Sequence, residues 1–230
     1  MKKSRNDCDL KSCFFCKFCL VEWLPAVDSH RKTYSFTKGE EIFKEGDEVK
    51  GVYFIYRGNV KVHKQWGDKE LIIRFASRGQ IFGHRGLGSE RYYPVSATSL
   101  EPTEACFIDL DFFIGTLKVN HQLLFNLMMF FADDLRESER RMRNLAHMPV
   151  RGRLAQALLA LDEKFGRRED GSIGIQVSRQ DIASYVGATY ETIFRSLNEF
   201  VEEGFVELSA KLIYVKDAQK LRQVVNESGG

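Results

Sequence analysis

The stretch Ser178-Arg-Gln-Asp-Ile-Ala-Ser-Tyr-Val-Gly187-Ala-Thr-Tyr-Glu-Thr-Ile-Phe-Arg195 decides how the C-terminal part of the chain folds. Ser178 is a good helix N-cap, and Asp181 stands three positions on, where a capping box places its acid. Ile182, Ala183 and Val186 give this first helix one apolar face. Gly187 permits a tight turn, and Thr189 caps a second helix running from Tyr190 to Glu203. Ile193, Leu197, Phe200 and Val201 form the second apolar face, and Gly204 stands where a helix-ending glycine belongs. Phe205-Val-Glu-Leu208 and Leu212-Ile-Tyr-Val215, joined by a short turn, read as a two-stranded wing. The unit is a winged helix-turn-helix.

Such a unit sends the start of its second helix into the major groove of double-stranded DNA. The side chains available there are Thr189, Tyr190, Glu191, Thr192, Phe194 and Arg195, with Ser178 and Arg179 at the start of the first helix. An arginine can bond guanine O6 and N7 together, and a carboxylate can accept from cytosine N4. Glu191 and Arg195 share one helix face and suit both tasks. The alternative use of their spacing is an exposed intrahelical ion pair, worth only ~0.3 kcal/mol.

Upstream, Arg153 to Leu161 is rich in alanine and leucine and predicts a helix. Pro149 ends a longer helical stretch before it, because proline disfavours helix in the preceding residue. That stretch, from about Asn120 to His147, carries Leu124, Leu127 or Met128, Phe131, Leu135, Met142 and Leu145 at helical spacings. Its length, on the order of 40 Å, exceeds what a small domain needs for cover. The stripe fits a seam between two copies of the chain, or packing on the chain's own barrel. Arg136, Arg140, Arg141, Arg143, Arg151 and Arg153 crowd this region, either as a solvated face or as charge for nucleic acid.

From about Tyr34 to Leu110 the chain is punctuated by glycines and reads in short alternating runs. Val52 to Tyr56, Arg57-Gly58-Asn59 and Val60 to Lys64 form a hairpin signal, and Leu71 to Phe75 and Thr103 to Ile108 read as further strands. No helical spacer is present for parallel crossovers, so an antiparallel barrel or sandwich follows. The expected α+β organisation is a cysteine-rich segment (1–30), a β-barrel (31–118), a long helix (119–148) and the winged unit (149–230).

The 230 residues carry a net charge of only +2, so total charge announces no partner. A basic opening with no apolar signal-peptide core predicts a cytoplasmic protein with no membrane span. The chain has no nucleophile–base pairing, Walker loop, dinucleotide glycine motif or H-E-x-x-H motif, so an enzyme is not expected. Four of the five cysteines, Cys8, Cys13, Cys16 and Cys19, fall in the first twenty residues, and Cys106 is remote. Clustered cysteines in a reducing compartment point to a metal rather than to disulfides. The C-x2-C-x2-C spacing of Cys13, Cys16 and Cys19 is one used around [4Fe–4S] clusters. A fourth ligand could be Cys106 or Cys8. Phe14, Phe15 and Phe18 beside the thiols would shield a cluster from water or simply pack on the barrel.

Three glycine-spaced motifs, Lys38 to Asp47, Tyr53 to Val62 and Gly79 to Gly83, join the reading unit Val177 to Arg195 in one resemblance. Over roughly Lys38 to Val215 the chain resembles the cyclic-AMP receptor protein/FNR family of bacterial transcription regulators. The resemblance implies a cyclic-nucleotide-binding-like antiparallel β-roll and a homodimer joined by the long helix. It also implies a palindromic operator and contact with RNA polymerase. Cyclic-AMP binders of the family carry a glutamate shortly after the glycine following Ile-Phe, and an Arg-Ser pair for the phosphate. Here Gly83 is followed by His84-Arg85-Gly86, and Tyr92-Tyr93-Pro94 stands where the pair belongs, so cyclic AMP is not expected. The FNR branch uses an N-terminal cysteine group plus one barrel cysteine. The resemblance to that branch implies a [4Fe–4S] cluster on Cys13, Cys16, Cys19 and Cys106, with Cys8 outside the ligand set. In FNR the last N-terminal gap is longer than the two residues found here. Glu191 and Arg195 match base-reading residues of the family, while Phe194 replaces a serine that contacts a thymine in FNR. The expected regulator senses redox state, oxygen or nitric oxide. The alternative is gating by another small effector, or by haem on His63 or His84.

Overall fold

The structure, a computed structural model, describes residues 2–3 and 9–228. They divide into two compact units, one of residues up to 64 with 73–135, the other of 65–72 with 136 onward. Among the described residues, no helix is long and apolar enough to cross a membrane.

The first unit opens with β1 (Lys2–Lys3), α1 (Phe14–Phe18) and α2 (Leu24–His30). Then come β2 (Lys32–Phe36), β3 (Glu41–Phe43), β4 (Gly51–Arg57), β5 (Val60–Trp66), β6 (Lys69–Ala76), β7 (Ile81–Phe82), β8 (Ser96–Ser99) and β9 (Thr103–Asp109). These build two sheets, in the orders β1-β2-β9-β4-β7 and β3-β8-β5-β6. The expected antiparallel roll is what forms. Successive side chains of a strand point to opposite faces, and β4 and β9 use both faces. Tyr53, Ile55, Ala105 and Phe107 fill the inside of the roll with Phe43, Phe82 and Tyr93. Val52, Phe54, Cys106 and Ile108 point outward into a second apolar cluster.

That outer cluster is covered by elements the sequence reading left unassigned. The cysteine segment forms α1 and α2, and residues assigned to the barrel's end form α3 (Leu110–Val119), capped by the Asp109 carboxylate accepting from Asp111 N. Phe15 lies against Phe54 and Phe113, with ring centroids 5.3 and 5.6 Å away. Burying one phenylalanine contributes roughly 1.5–3 kcal/mol, and such aromatic pairs add about 0.5–1.5 kcal/mol. This ring is the main peg that holds the cysteine segment down.

The long helix α4 spans His121–His147. Its apolar residues sort into two stripes. Leu123 and Leu127 are buried in the outer cluster, whereas Leu124, Met128, Phe131, Leu135 and Met142 are exposed. Packing on the chain's own barrel is thus the role of Leu123 and Leu127, while the remaining apolar residues face outward.

The second unit contains α5 (Val150–Phe165), α6 (Arg179–Val186), α7 (Tyr190–Glu202), the wing β10 (Val206–Ser209) and β11 (Leu212–Val215), and α8 (Ala218–Glu227). The wing strands pair antiparallel, with Val206 opposite Val215. Helix α8, beyond the elements expected from the sequence, is capped by Asp217 and packs on α5.

Candidate functional site

The reading head forms as its local signals require. The Ser178 hydroxyl accepts from Asp181 N at 3.0 Å and Asp181 returns a bond to Ser178 N, completing the capping box. Ser178 is thus committed to capping. Gly187 ends α6 at φ +72, a left-handed conformation that strains residues with a side chain. A Cβ there would also lie 2.6 Å from Leu145 Cδ2. Thr189 caps α7, and Ile193, Leu197 and Phe200 bury its inner face.

On the outer face, Glu191, Phe194 and Arg195 are exposed, and among the described residues no ion pair joins Glu191 to Arg195. The two side chains are available to an outside partner. Tyr190 and Phe194 stack beside them, with ring centroids 6.2 Å apart. Arg179 and Tyr190 line a groove of about 260 Å³ with Lys211 of the wing turn. Of the expected DNA-facing residues, Tyr190, Glu191, Phe194 and Arg195 are exposed on α7, Arg179 and Tyr190 share the groove, and Ser178 and Thr189 serve as caps.

The arginine run proves to be more than a solvated face. Arg153 donates to four carbonyl oxygens, those of Leu145, Met148, Val186 and Gly187, at 2.7–3.4 Å. These belong to the ends of α4 and α6, where helix carbonyls lack intrahelical partners. Arg141 donates to Tyr185 O at 2.7 Å and lies 4.4 Å over its ring. Arg151 bonds Glu199 of α7 and Glu203, which caps its C-terminal end. Arg141 and Arg153 hold the turn of the reading head against the last turns of α4, and Arg151 ties α5 to the end of α7. Nothing local in the sequence distinguishes them from Arg140, whose partner is Glu137 one helical turn away.

The second candidate site is the cysteine segment. Cys13 caps α1, its sulfur accepting from Cys16 N at 3.4 Å. Cys19 closes the helix, and its thiol donates to Asn120 Oδ1 at 3.5 Å. Burial pushes the Cys19 thiol pKa up, against the lowering effect of a hydrogen bond from Leu20 N. Cys106 lies in the middle of β9, opposite Thr33 of β2 and Phe54 of β4. All four are less than 9% exposed, and all belong to the outer apolar cluster. Phe15 is buried beside them, with Phe14 and Phe18 packed at the edge. Gly79 admits the segment: its carbonyl accepts from Phe14 N at 2.8 Å, and a Cβ there would lie 3.0 Å from Ser12 O.

Cys8 lies outside the described residues, so the set containing it cannot be compared with the set containing Cys106. Among the described residues, no three His, Cys, Asp or Glu side chains are grouped so as to hold a metal ion. In donor chemistry, four thiols in a dry, aromatic surrounding suit an iron–sulfur cluster.

Of the two histidines considered for haem, His63 bonds Thr98 Oγ1 through Nε2 at 2.8 Å. His84 lies under α4, its ring edge-on to Phe130 and Phe131. Its Nε2 is 3.8 Å from Asp134 Oδ2, which also accepts from Arg85 Nη2 at 2.6 Å. Arg74 completes the group, 4.0 Å from Asp134 and 5.5 Å over the Phe130 ring. Asp134 carries no sign of such a role in the sequence. Here it is the shared counter-ion of two arginines.

Residues 33–120 match the cyclic nucleotide-binding domain, and residues 152–224 match the Crp-like helix-turn-helix domain. The cAMP-activated global transcriptional regulator CRP of Pasteurella multocida (strain Pm70) is 30% identical over 201 residues, or 85% of this chain and 93% of that protein. Transcriptional activator protein FnrA of Stutzerimonas stutzeri is 25% identical over 225 residues, covering 94% of this chain and 92% of that one. The structure of FixK2 from Bradyrhizobium japonicum aligns with a TM-score of 0.76 at 26% identity, covering 84% of this chain and 96% of the other.

Proposed function

Because the chain belongs to the CRP/FNR family of transcription regulators, which bind DNA and act as dimers, we propose a reader and a sensor for it. The reader is the pair Glu191 and Arg195, acting on a two-fold symmetric operator. The sensor is the cysteine segment, receiving redox state, oxygen or nitric oxide through a [4Fe–4S] cluster on Cys13, Cys16, Cys19 and Cys106. What supports the sensor is donor chemistry: the thiols of Cys13, Cys16, Cys19 and Cys106 are all buried in the apolar cluster that also holds Phe15. What supports the reader is the exposure of both side chains at the start of a capped second helix.

When bound, such a group would supply an iron–sulfide core that oxidation by oxygen or nitric oxide chemistry disassembles. The chain's own residues do the rest. Phe14, Phe15 and Phe18 keep water from the thiols, and Gly79 lets the segment lie close to the sheet. The exposed stripe of Leu124, Met128, Phe131 and Leu135 on α4 is the surface for pairing with a second copy. Pairing sets two reading heads about one DNA turn, ~34 Å, apart. A ligand changes this equilibrium only through differential stabilisation of the two states, which seating or release of the cysteine segment would provide.

The test is a visible spectrum with iron and acid-labile sulfide analysis on protein purified without oxygen. Broad visible absorbance with about four irons and four sulfides per chain is expected, and is lost in Cys106→Ala. Colourless, iron-free wild-type protein would refute the sensor and leave the reader in place.

A further inference from the structure

We propose that Asn120 is the positioning residue through which the cysteine segment sets the root of the long helix. The proposal rests on the reading of that segment as the sensor. Asn120 is the single residue between α3 and α4 and is fully buried. Its N–H donates to Thr116 O at 2.9 Å and its carbonyl accepts from Leu124 N at 3.0 Å, so its backbone closes one helix and opens the next.

Its side chain faces the other way. Oδ1 accepts from Leu20 N at 2.7 Å and from the Cys19 thiol at 3.5 Å, while Nδ2 donates to Thr116 O at 3.2 Å. The neighbouring contacts run in the same sense. Trp23 Nε1 donates to Thr116 Oγ1 at 3.1 Å, and the rings of Trp23 and His30 stack on Phe112. The chain directly after the cysteines is therefore strapped along α3, with its first polar contact at the point where α4 begins.

A buried amide left without its partner bears the full cost of desolvation, which exceeds the net gain from an ordinary hydrogen bond. Withdrawal of Cys19 and Leu20 strands Oδ1 in an apolar cluster that also contains Leu123 and Leu127. The first turns of α4 then lose their fixed setting. Leu124 and Met128, on the opposite stripe, move with them. Asn120 thereby converts the seating of a segment into the placement of the pairing surface, without touching either DNA or the second copy.

Leu20→Pro isolates this bond. Leu20 is exposed at φ −57, and Cys19 before it has φ −76 and ψ 147. Both conformations suit proline and the residue preceding it, so the change removes one N–H and keeps all four cysteines. The full-length protein is measured by sedimentation for dimer dissociation and by hydrogen exchange over residues 121–127. Dimer dissociation about tenfold stronger than in wild type is expected, equivalent to ~1.4 kcal/mol, with faster exchange in those turns. Unchanged dissociation and exchange would overturn the proposal.

Asn120→Leu alone and combined with Leu20→Pro supplies a second arm. If the two act through one bond, the double variant is no weaker as a dimer than Asn120→Leu. Full additivity overturns the assignment. Iron content is read separately on each protein. Iron-free wild type refutes the cluster, whereas the dimer and exchange measurements decide on Asn120 with or without iron.

Discussion

Acidification should destabilise the first unit through one histidine, and by a calculable amount. Burial pushes the His84 ring pKa down from 6.5 to about 4; the nearby Asp134 carboxylate pulls upward, and the charges of Arg74 and Arg85 push down again. The rings of Phe130 and Phe131, facing it from α4, offer no opposing charge. The unfolded chain takes up the proton near pH 6.5, and the folded chain does so only near pH 4. Stability is therefore complete above about 6.5 and declines as pH falls toward about 4, by ~1.4 kcal/mol per pH unit. Going from pH 7.5 to 5 crosses about 1.5 units of that window, so about 2 kcal/mol should be lost. Burial raises the Asp134 carboxyl pKa, but His84, Arg85 and Arg74 together outweigh it and hold it below the usual value. Its contribution is lost only at lower pH. Urea unfolding of a Trp66→Phe protein, followed by Trp23 fluorescence, reads this unit, because those are the chain's two tryptophans. His84→Gln should flatten the curve between pH 6.5 and 5 by most of that ~2 kcal/mol. Parallel curves for the two proteins would show that the ring is not held neutral by burial.

Two further perturbations address the reader and the seam. Arg195→Ala should cost ~1–3 kcal/mol on the preferred operator and relax preference at a single base pair; equal weakening on every sequence would instead assign Arg195 to the phosphate backbone. Met128→Glu places a charge on an exposed part of α4, so the monomer should keep its fold. Dimerisation should weaken by about 3 kcal/mol, ~100-fold, from the apolar area lost, and undiminished self-association in sedimentation would move the seam off this stripe.

The reading head was legible in the sequence because everything that forms it is local. A cap, an acid three residues later, a glycine and a second cap all lie within Ser178 to Arg195, and each acts on backbone a few positions away. The strands of the roll were legible for a similar reason, since alternation in β4 and β9 is itself the geometry. What was not legible depends on distant partners. Arg153 finds Val186 O and Gly187 O more than thirty residues along the chain, and Arg85 finds Asp134 across nearly fifty. Before folding, both pairs are indistinguishable from surface charge. Helix α3 was lost for another reason. Its apolar run continues that of β9, and the only local sign of a change is Asp109, whose side chain caps the new helix.

The long helix shows how two patterns can hide in one. Leu127 and Met128 stood as alternatives in a single stripe because adjacent positions lie only 100° apart around a helix. Folding assigns Leu127 inward with Leu123, and Met128 outward with Leu124, Phe131 and Leu135. An apolar arc wide enough for both surfaces cannot be resolved by periodicity alone. It also couples the surfaces mechanically. Because the inner and outer stripes share one backbone, any turn of the helix root that loosens Leu123 and Leu127 displaces Leu124 and Met128 by the same angle. Asn120 stands at the end of that backbone, where a small displacement of the cysteine segment acts on both stripes together.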